Sequence, residues 1–288
     1  MKRLLILSGK GGTGKTSTAA AFIRFAGARA IADCDVDAPN LHLVIKPQAE
    51  GEYTDFIGGD KARVECEKCI GCGICQKHCR FDAIKIADGK AGVNEYACEG
   101  CGVCQYVCPE QAIELQPDLA GRQELYRDEN GLFSTAMLKM GRGNSGKLVT
   151  NVKLALLKNA PETELAIIDG SPGIGCPVIA SVSGMDLVLI VAEPSRSGYS
   201  DLERLVRTAR SFGARLAVCV NRWDISPSMT ENIRNFCLSE GIDFVGCVPY
   251  DPAASKAINA GLSLADMDCP ARDALWEIFK KLCNILEL

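Results

Sequence analysis

The chain has 288 residues, 47% hydrophobic and 24% charged, which suffices for one large core with a smaller unit beside it. A formal net charge of −4 without a basic cluster argues against a nucleic-acid partner, because phosphate backbones are bound by many Lys and Arg side chains. No apolar run approaches the ~20 residues that cross a membrane. We therefore expect a cytoplasmic protein without a signal peptide, for which membrane binding is disfavoured.

The sixteen cysteines are unevenly distributed, with nine of them between Cys66 and Cys108. A secreted disulfide scaffold is typically a short chain with cysteines throughout. Clustered thiols in a reducing compartment instead favour metal binding, because they stay free to act as thiolates.

Apolar runs and helical segments alternate along most of the chain. Strands are predicted at 4–7, 165–168, 187–191, 216–220 and 244–248, and helices at 17–25, 146–159, 199–212 and 228–240. This order predicts an α/β fold with a mostly parallel sheet covered by helices on both faces.

A duplicated segment interrupts the alternation. Residues 64–86 align with residues 93–115 at an offset of 29, with ten identities in 23 positions. We expect residues 60–117 to form an inserted domain and residues 1–59 and 118–288 to form the α/β domain. A hairpin is predicted around Asp128-Glu129-Asn130-Gly131.

The segment Gly9–Thr16 matches the phosphate-loop pattern G-x-x-x-x-G-K-[ST], placed between a predicted strand and a predicted helix. Small residues let backbone N–H groups turn onto phosphate oxygens at the positive end of the helix. Lys15 would bind the β- and γ-phosphates of ATP, and the Thr16 hydroxyl would reach Mg²⁺.

Lys10 gives the loop the spelling KGGTGKT, which resembles the deviant Walker A ATPases, the family of MinD, ParA and the nitrogenase iron protein. The resemblance implies an ATPase whose Lys10 reaches the partner's phosphates in a homodimer or in a heterodimer with a related ATPase. The ATP-binding residues implied are Gly9, Lys10, Gly11, Gly12, Thr13, Gly14, Lys15, Thr16, Ser17, Asn221 and Pro249.

Two acidic segments also resemble that family. Asp33-Cys34-Asp35-Val36-Asp37 looks like its first switch, which would make Asp35 the carboxylate that positions the attacking water, catalytic alongside Lys10 and Lys15. Ile167-Ile168-Asp169-Gly170-Ser171-Pro172-Gly173 resembles the Walker B strand and second switch, so Asp169 would hold Mg²⁺ together with Thr16. Asn221 and Pro249 match the adenine-side positions.

Each repeat carries the spacing C-x2-C-x2-C-x3-C, which resembles bacterial two-cluster ferredoxins and implies an inserted α+β ferredoxin-like domain with two 4Fe–4S clusters. In such proteins the fourth Cys of each run ligates the other cluster. The implied ligands are Cys69, Cys72, Cys75 and Cys108 for cluster 1, and Cys98, Cys101, Cys104 and Cys79 for cluster 2. Zinc is the alternative metal, but its sites usually pair C-x2-C motifs across a longer span.

Four other features carry less specific expectations. Cys66 has no counterpart in the repeat and is expected to be a plain exposed or packed thiol. Cys176 is expected to be a buried structural cysteine, although the nitrogenase iron protein has a cluster ligand in a similar position. Lys147 is expected to be a solvated loop lysine or to contact phosphate or an interface. The C-terminal helical pattern from Asp273 predicts a helix packed on the domain.

Three functions follow from this combination. The first couples ATP turnover to electron transfer through the clusters to a redox or metalloprotein partner, and eight permanent ligands favour it. The second is assembly or delivery of iron–sulfur units, with Cys66 or Cys176 as a transient ligand. The third is a MinD-like positioning or cell-division regulator with redox-sensing clusters.

Overall fold

The computed structural model describes all 288 residues, which divide into two compact units. The first unit contains residues 1–54, 123–137 and 145–288. The second contains residues 55–122 and 138–144. The second unit therefore reaches beyond residues 60–117, because two long strands run through both boundaries without a turn that would mark them in the sequence.

Strands and helices alternate over most of the chain, apart from two pairs of consecutive strands and one pair of consecutive helices. The strands are β1 Lys2–Leu7, β2 Ala30–Asp33, β3 Glu52–Val64, β4 Ile84–Ala87, β5 Lys90–Val93, β6 Ile113–Asp128, β7 Gly131–Leu138, β8 Leu165–Asp169, β9 Leu187–Ala192, β10 Arg215–Asn221 and β11 Asp243–Val248. The helices are α1 Lys15–Ala26, α2 His42–Ile45, α3 Ile74–His78, α4 Val103–Tyr106, α5 Ser145–Asn159, α6 Cys176–Val182, α7 Arg196–Arg210, α8 Pro227–Ser239, α9 Pro252–Asn259 and α10 Pro270–Leu286.

The main sheet has the strand order β11-β10-β9-β1-β8-β2-β7-β6-β3. The pairings from β11 across to β7 are all parallel, which confirms the predicted α/β fold. Strands β1, β8 and β9 are almost wholly buried, as expected for parallel strands covered on both faces. The turn between β6 and β7 falls in the hairpin predicted around residues 128–131.

The C-terminal helix α10 packs on the first unit. Its apolar side buries Leu275, Ile278, Phe279 and Leu282 in the core, as the sequence pattern predicts. Within the chain there is no helix whose length and apolar content would let it span a bilayer.

Helices α5 and α6 are joined at both ends. At the start of α5, a Cβ on Gly146 would come within 3.2 Å of the Cys176 carbonyl oxygen, so glycine permits this close approach. Further along, buried Lys153 donates hydrogen bonds from Nζ to the carbonyls of Ala180 (2.6 Å), Ser181 (2.9 Å) and Ser183 (2.5 Å). These carbonyls belong to the end of α6, where the helix leaves acceptors without internal partners. The two helices are therefore constrained to move together.

The second unit repeats one local geometry twice. Gly71 and Gly100 have φ of +67° and +65°, and a Cβ on either would come within 2.2 Å of a backbone carbonyl carried by Gly89 or Asp60. Gly73 and Gly102 likewise precede α3 and α4 with left-handed φ of 75° and 77°. Strands β4 and β5 form an antiparallel hairpin between the repeats. The sequence duplication is thus also a structural one.

We predict that Lys153→Met lowers the free energy of unfolding by about 2–3 kcal/mol, because it leaves the carbonyls at the end of α6 without their charged donor. Lys158→Met, on the exposed side of the same helix, is the control and should change little. Urea denaturation measures both, and equal effects of the two substitutions would contradict the role assigned to Lys153.

Candidate functional site

Three parallel strands end at the same edge of the sheet, and the predicted site residues lie at or just after these ends. Strand β1 ends at Leu7 and leads into the glycine loop, β2 ends at Asp33, and β8 ends at Asp169. Asp169 is in register with Ile6 on one side and with Asp33 on the other. Ligands of open α/β sheets bind at these carboxyl ends, so the loop and both acidic segments meet there.

The glycine loop has a backbone that only glycine adopts easily. Gly12 and Gly14 have φ of +80° and +94°, and Gly14 immediately precedes α1. A Cβ on Gly14 would lie 2.3 Å from the Asn221 amide nitrogen, which itself donates to the Thr13 carbonyl at 2.7 Å. The loop therefore presents backbone N–H groups at the start of a 12-residue helix, the arrangement that favours phosphate.

Lys15 and Asp169 form a buried ion pair. Lys15 Nζ lies 2.6 Å from Asp169 Oδ1 and 3.7 Å from Asp35 Oδ2. Burial lowers the pKa of Lys15, but the carboxylates of Asp169, Asp35 and Asp33 together outweigh burial, so the pKa is raised. Lys15 therefore keeps its positive charge beside the glycine loop, where the predicted site binds phosphate.

Asp169 has a second oxygen with a different environment. Its Oδ2 is buried and has no hydrogen-bond partner, and the residue is wholly inaccessible. A buried carboxylate oxygen without a donor is energetically costly unless a cation or an ordered water meets it. The site therefore fits Mg²⁺, or one of its bound waters, with Thr16 at the start of α1.

Asp33 is a site residue that the sequence patterns did not single out. Its carboxylate accepts backbone hydrogen bonds from Asp35 (3.0 Å), Asn40 (3.1 Å) and Leu41 (3.0 Å), which fixes the loop carrying Asp35. Burial, together with the nearby Asp169, raises the pKa of Asp33 to about 7. Its position at the end of an apolar strand, like that of Asp169, is the signal that could have identified it.

The two acidic segments and the glycine loop are cross-linked by hydrogen bonds. Ser171 Oγ donates to the Cys34 carbonyl, and the Cys34 N–H donates to the Asp169 carbonyl at 2.7 Å. The Gly173 N–H donates to the Ser8 carbonyl at 3.0 Å. A displacement of any one segment therefore breaks bonds to another.

Asn221 and Pro249, the two residues predicted to lie beside adenine, line a pocket of about 120 Å³ next to Gly14 and Ser17. Tyr250 also lines this pocket. The structure thus places these two predicted residues beside the loop.

Lys10 is held within its own chain. Its Nζ is 2.5 Å from Glu193 Oε2 and 3.4 Å from Ser197 Oγ. Glu193 follows β9 directly, and no sequence pattern singled it out.

In the second unit, the thiols expected to share cluster 1 gather around one cavity, which Cys69, Cys72, Cys75 and Cys108 all line. Burial raises the pKa of Cys75, and the other three cysteines are near enough to raise it further. Backbone N–H groups of Ala91 and Ala112 donate to the sulfurs of Cys69 (3.4 Å) and Cys108 (3.3 Å). The N–H of Ala91 also lowers the pKa of Cys69, which favours its thiolate.

The second group is arranged similarly. Burial raises the pKa of Cys104, with contributions from Cys98 and Cys101. The Ala62 N–H donates to Cys98 Sγ at 3.5 Å, and Cys79 packs against the apolar core of the unit. All sixteen cysteines are free thiols, and nowhere in the chain do three metal-binding side chains converge as they would around a single ion.

The repeat extends further than its cysteines. Lys61 and Ala62 correspond to Lys90 and Ala91 at the same offset of 29. Lys61 Nζ donates to the Cys98 carbonyl, and Lys90 Nζ donates to the Cys69 carbonyl at 2.6 Å. Each lysine therefore donates to the carbonyl of the first cysteine of the other repeat. Extending the alignment of the repeats by a few residues would have identified both lysines.

Cys66 and Cys176, which lie outside both cysteine runs, are exposed thiols. The exposure of Cys66 agrees with the expectation, whereas the expectation of a buried Cys176 is wrong. Cys176 is the first residue of α6, and only Val178, Ser181 and Val182 of that helix face the core. Lys147 lies in the first turn of α5 rather than in a loop.

A profile of the CobQ/CobB/MinD/ParA nucleotide-binding domain matches residues 4–264. The chain belongs to this family. It is 31% identical over 284 residues to an uncharacterized protein of Methanocaldococcus jannaschii, covering 97% of this chain and 96% of that protein. This family places the chain among the MinD/ParA-type P-loop proteins.

The chain has two further similarities, one over about half of its length and one over its whole fold. An iron–sulfur cluster carrier protein of Pyrococcus furiosus is 28% identical over 157 residues, which is 49% of this chain and 53% of that protein. The cell division ATPase MinD of P. furiosus has a similar fold, with a TM-score of 0.59 at 16% identity and 99% of both chains covered.

We predict that Asp35→Asn leaves MgATP binding within about twofold but lowers its hydrolysis by about 10²–10³-fold, since the resemblance implies that Asp35 orients the attacking water and does not hold phosphate. Asp37→Asn is the matched control, because Asp37 is exposed in the same loop. Phosphate release and nucleotide titration measure the two effects. Full turnover in Asp35→Asn would assign the attacking water to another residue.

Proposed function

We propose that this protein is a MgATP-hydrolysing, nucleotide-switched dimer that gates electron transfer through two 4Fe–4S clusters. One observation carries the proposal: the same chain holds a phosphate loop with an ammonium beside Asp169 and a duplicated unit whose thiols gather in two groups.

On the nucleotide side, Lys15 exchanges the Asp169 carboxylate for β- and γ-phosphate oxygens. The released Asp169 carboxylate and the Thr16 hydroxyl would hold Mg²⁺, which would supply positive charge beside the phosphates. Asp35 orients the water that attacks the γ-phosphate, which yields ADP and phosphate. Lys10 reaches the phosphates of a second copy or a related ATPase. The family membership of the chain supports this scheme, as does the buried Asp169 Oδ2, which has no hydrogen-bond partner.

In the second unit, 4Fe–4S clusters would supply one-electron chemistry, with potentials set by nearby charge, hydrogen bonds and exposure. Backbone N–H groups of Ala62, Ala91 and Ala112 stabilise the thiolates, and Lys61 and Lys90 place positive charge beside them. A partner metalloprotein accepts one electron at a time, and a low-potential one-electron donor returns it.

Along the chain, α6 follows the nucleotide-site segment, and α5 follows the second unit. Residues 138–144 of the second unit lead directly into α5, and α5 is fastened to α6 through Gly146 and Lys153. Helix α6 in turn follows the segment Asp169–Gly173, which must rearrange when Lys15 leaves Asp169. Nucleotide state is therefore transmitted to the second unit through a shift of these paired helices.

Delivery of iron–sulfur units is a second candidate function. It is favoured by similarity to a protein named as an iron–sulfur cluster carrier and by the exposed thiol of Cys176. A donor needs labile ligands, whereas Cys75, Cys98 and Cys104 are buried in the core of their unit. Their burial favours permanent ligation and hence electron transfer.

Iron content tests the cluster assignment. Anaerobically purified protein should contain about eight irons per chain, Cys104→Ala should retain about four, and Cys66→Ala should retain all. Cys66 is the control because it is an exposed thiol outside both groups. Protein without iron, or equal iron in both variants, would refute the ligand sets.

Gating is tested by oxidising the reduced protein with a viologen dye in stopped flow, with and without Mg²⁺ and a non-hydrolysable ATP analogue. The oxidation rate should change by about fivefold or more with nucleotide, and Lys15→Ala should abolish the change. A rate indifferent to nucleotide contradicts gating. Nucleotide-dependent loss of iron to a chelator would instead favour delivery.

A further inference from the structure

Lys10 is held by two groups from the junction of β9 and α7. Its Nζ lies 2.5 Å from the Glu193 carboxylate and 3.4 Å from the Ser197 hydroxyl. The Glu193 side chain is only 24% exposed and that of Lys10 is 40% exposed, so the pair is partly shielded from water. A lysine at this separation is fully engaged by its carboxylate, unlike the extended lysines of a solvated loop.

The junction that carries Glu193 has a defined local structure. Ser195 caps α7 by accepting a hydrogen bond from the Gly198 N–H at 3.0 Å, and its own N–H donates to the Glu193 carbonyl at 2.8 Å. A Cβ on Gly198 would lie 2.3 Å from that carbonyl, so glycine allows the first turn of α7 to close onto Glu193. The backbone of Glu193 is thereby held against the first turn of α7, a helix of 15 residues.

The glycine loop and α7 are also packed directly together. A Cβ on Gly9 would lie 2.2 Å from the Asp201 Cβ, which shows how closely the loop approaches this helix. The backbone of Lys10 consequently lies next to the start of α7, within reach of Glu193 and Ser197.

We infer that Glu193 is a positioning residue that retains Lys10 in its own subunit until a partner's nucleotide replaces the carboxylate. This inference rests on the proposed function, in which Lys10 contacts the phosphates of a second subunit. One ammonium cannot remain 2.5 Å from Glu193 and also reach across an interface. Closure of the dimer therefore requires exchange of a carboxylate for phosphate oxygens, so that dimerisation without nucleotide is opposed by the Lys10–Glu193 pair.

The test is the dissociation constant of the dimer, measured by sedimentation with Mg²⁺ and a non-hydrolysable ATP analogue. Glu193→Gln removes the competing charge while keeping the shape of the side chain. We expect it to lower the dissociation constant by about 3- to 10-fold, since each subunit of a homodimer loses one partly exposed ion pair. An unchanged or higher dissociation constant overturns the inference.

Two further variants separate this inference from the proposed function. Asp243→Asn breaks the Arg215–Asp243 ion pair (2.9 Å) at another place on the same sheet and should leave the dimer unchanged. In a Lys10→Ala background, Glu193→Gln should have no effect on the dimer, because the competing ammonium is gone. If Lys10→Ala alone leaves the dimer intact, the role of Lys10 itself fails. If Lys10→Ala weakens the dimer and Glu193→Gln does not tighten it, only the role of Glu193 fails.

Discussion

The buried ion pair between Lys15 and Asp169 is the interaction on which the rest of the nucleotide site depends. At 2.6 Å it joins the glycine loop after β1 to the carboxyl end of β8. Breaking such a pair without a substitute is strongly unfavourable, because it leaves a buried charge unmatched. Phosphate for Lys15 and a divalent cation for Asp169 are substitutes of the right sign. In the proposed function, MgATP replaces this structural contact by two new ones, and we propose this replacement as the origin of the switch.

The consequences of that replacement spread through hydrogen bonds that are already in place. The Cys34 N–H is bonded to the Asp169 carbonyl, and Ser171 is bonded to the Cys34 carbonyl, so both acidic segments respond to the same event. Helix α6 follows the second of these segments and is bound to α5 by Lys153. The second unit ends directly before α5 in the chain, and the proposed link between nucleotide state and redox state uses this connection.

The sequence predicted the elements whose physical causes are local. Buried parallel strands need continuous apolar residues, phosphate loops need glycine at positive φ, and the cysteine spacing recurs with its glycines, so each left a readable pattern. Glu193 left no pattern because its partner, Lys10, is far away in the chain. The role of Asp33 depends on how the following loop folds back, which brings backbone N–H groups as far as Leu41 to its carboxylate. Cys176 was misjudged because its burial depends on which side of α6 packs on the core. The limits of the second unit were also hidden, because β3 and β6 run through them without interruption.

The proposed function links nucleotide binding to the oxidation state of the clusters within one chain, and such linkage is reciprocal. It is tested by the affinity for a fluorescent MgATP analogue under anaerobic conditions, with the protein fully oxidised and then fully reduced. We expect affinities that differ by about fivefold or more, and a smaller difference in a Cys104→Ala variant. Identical affinities in the two oxidation states, in protein with its full iron content, would contradict it.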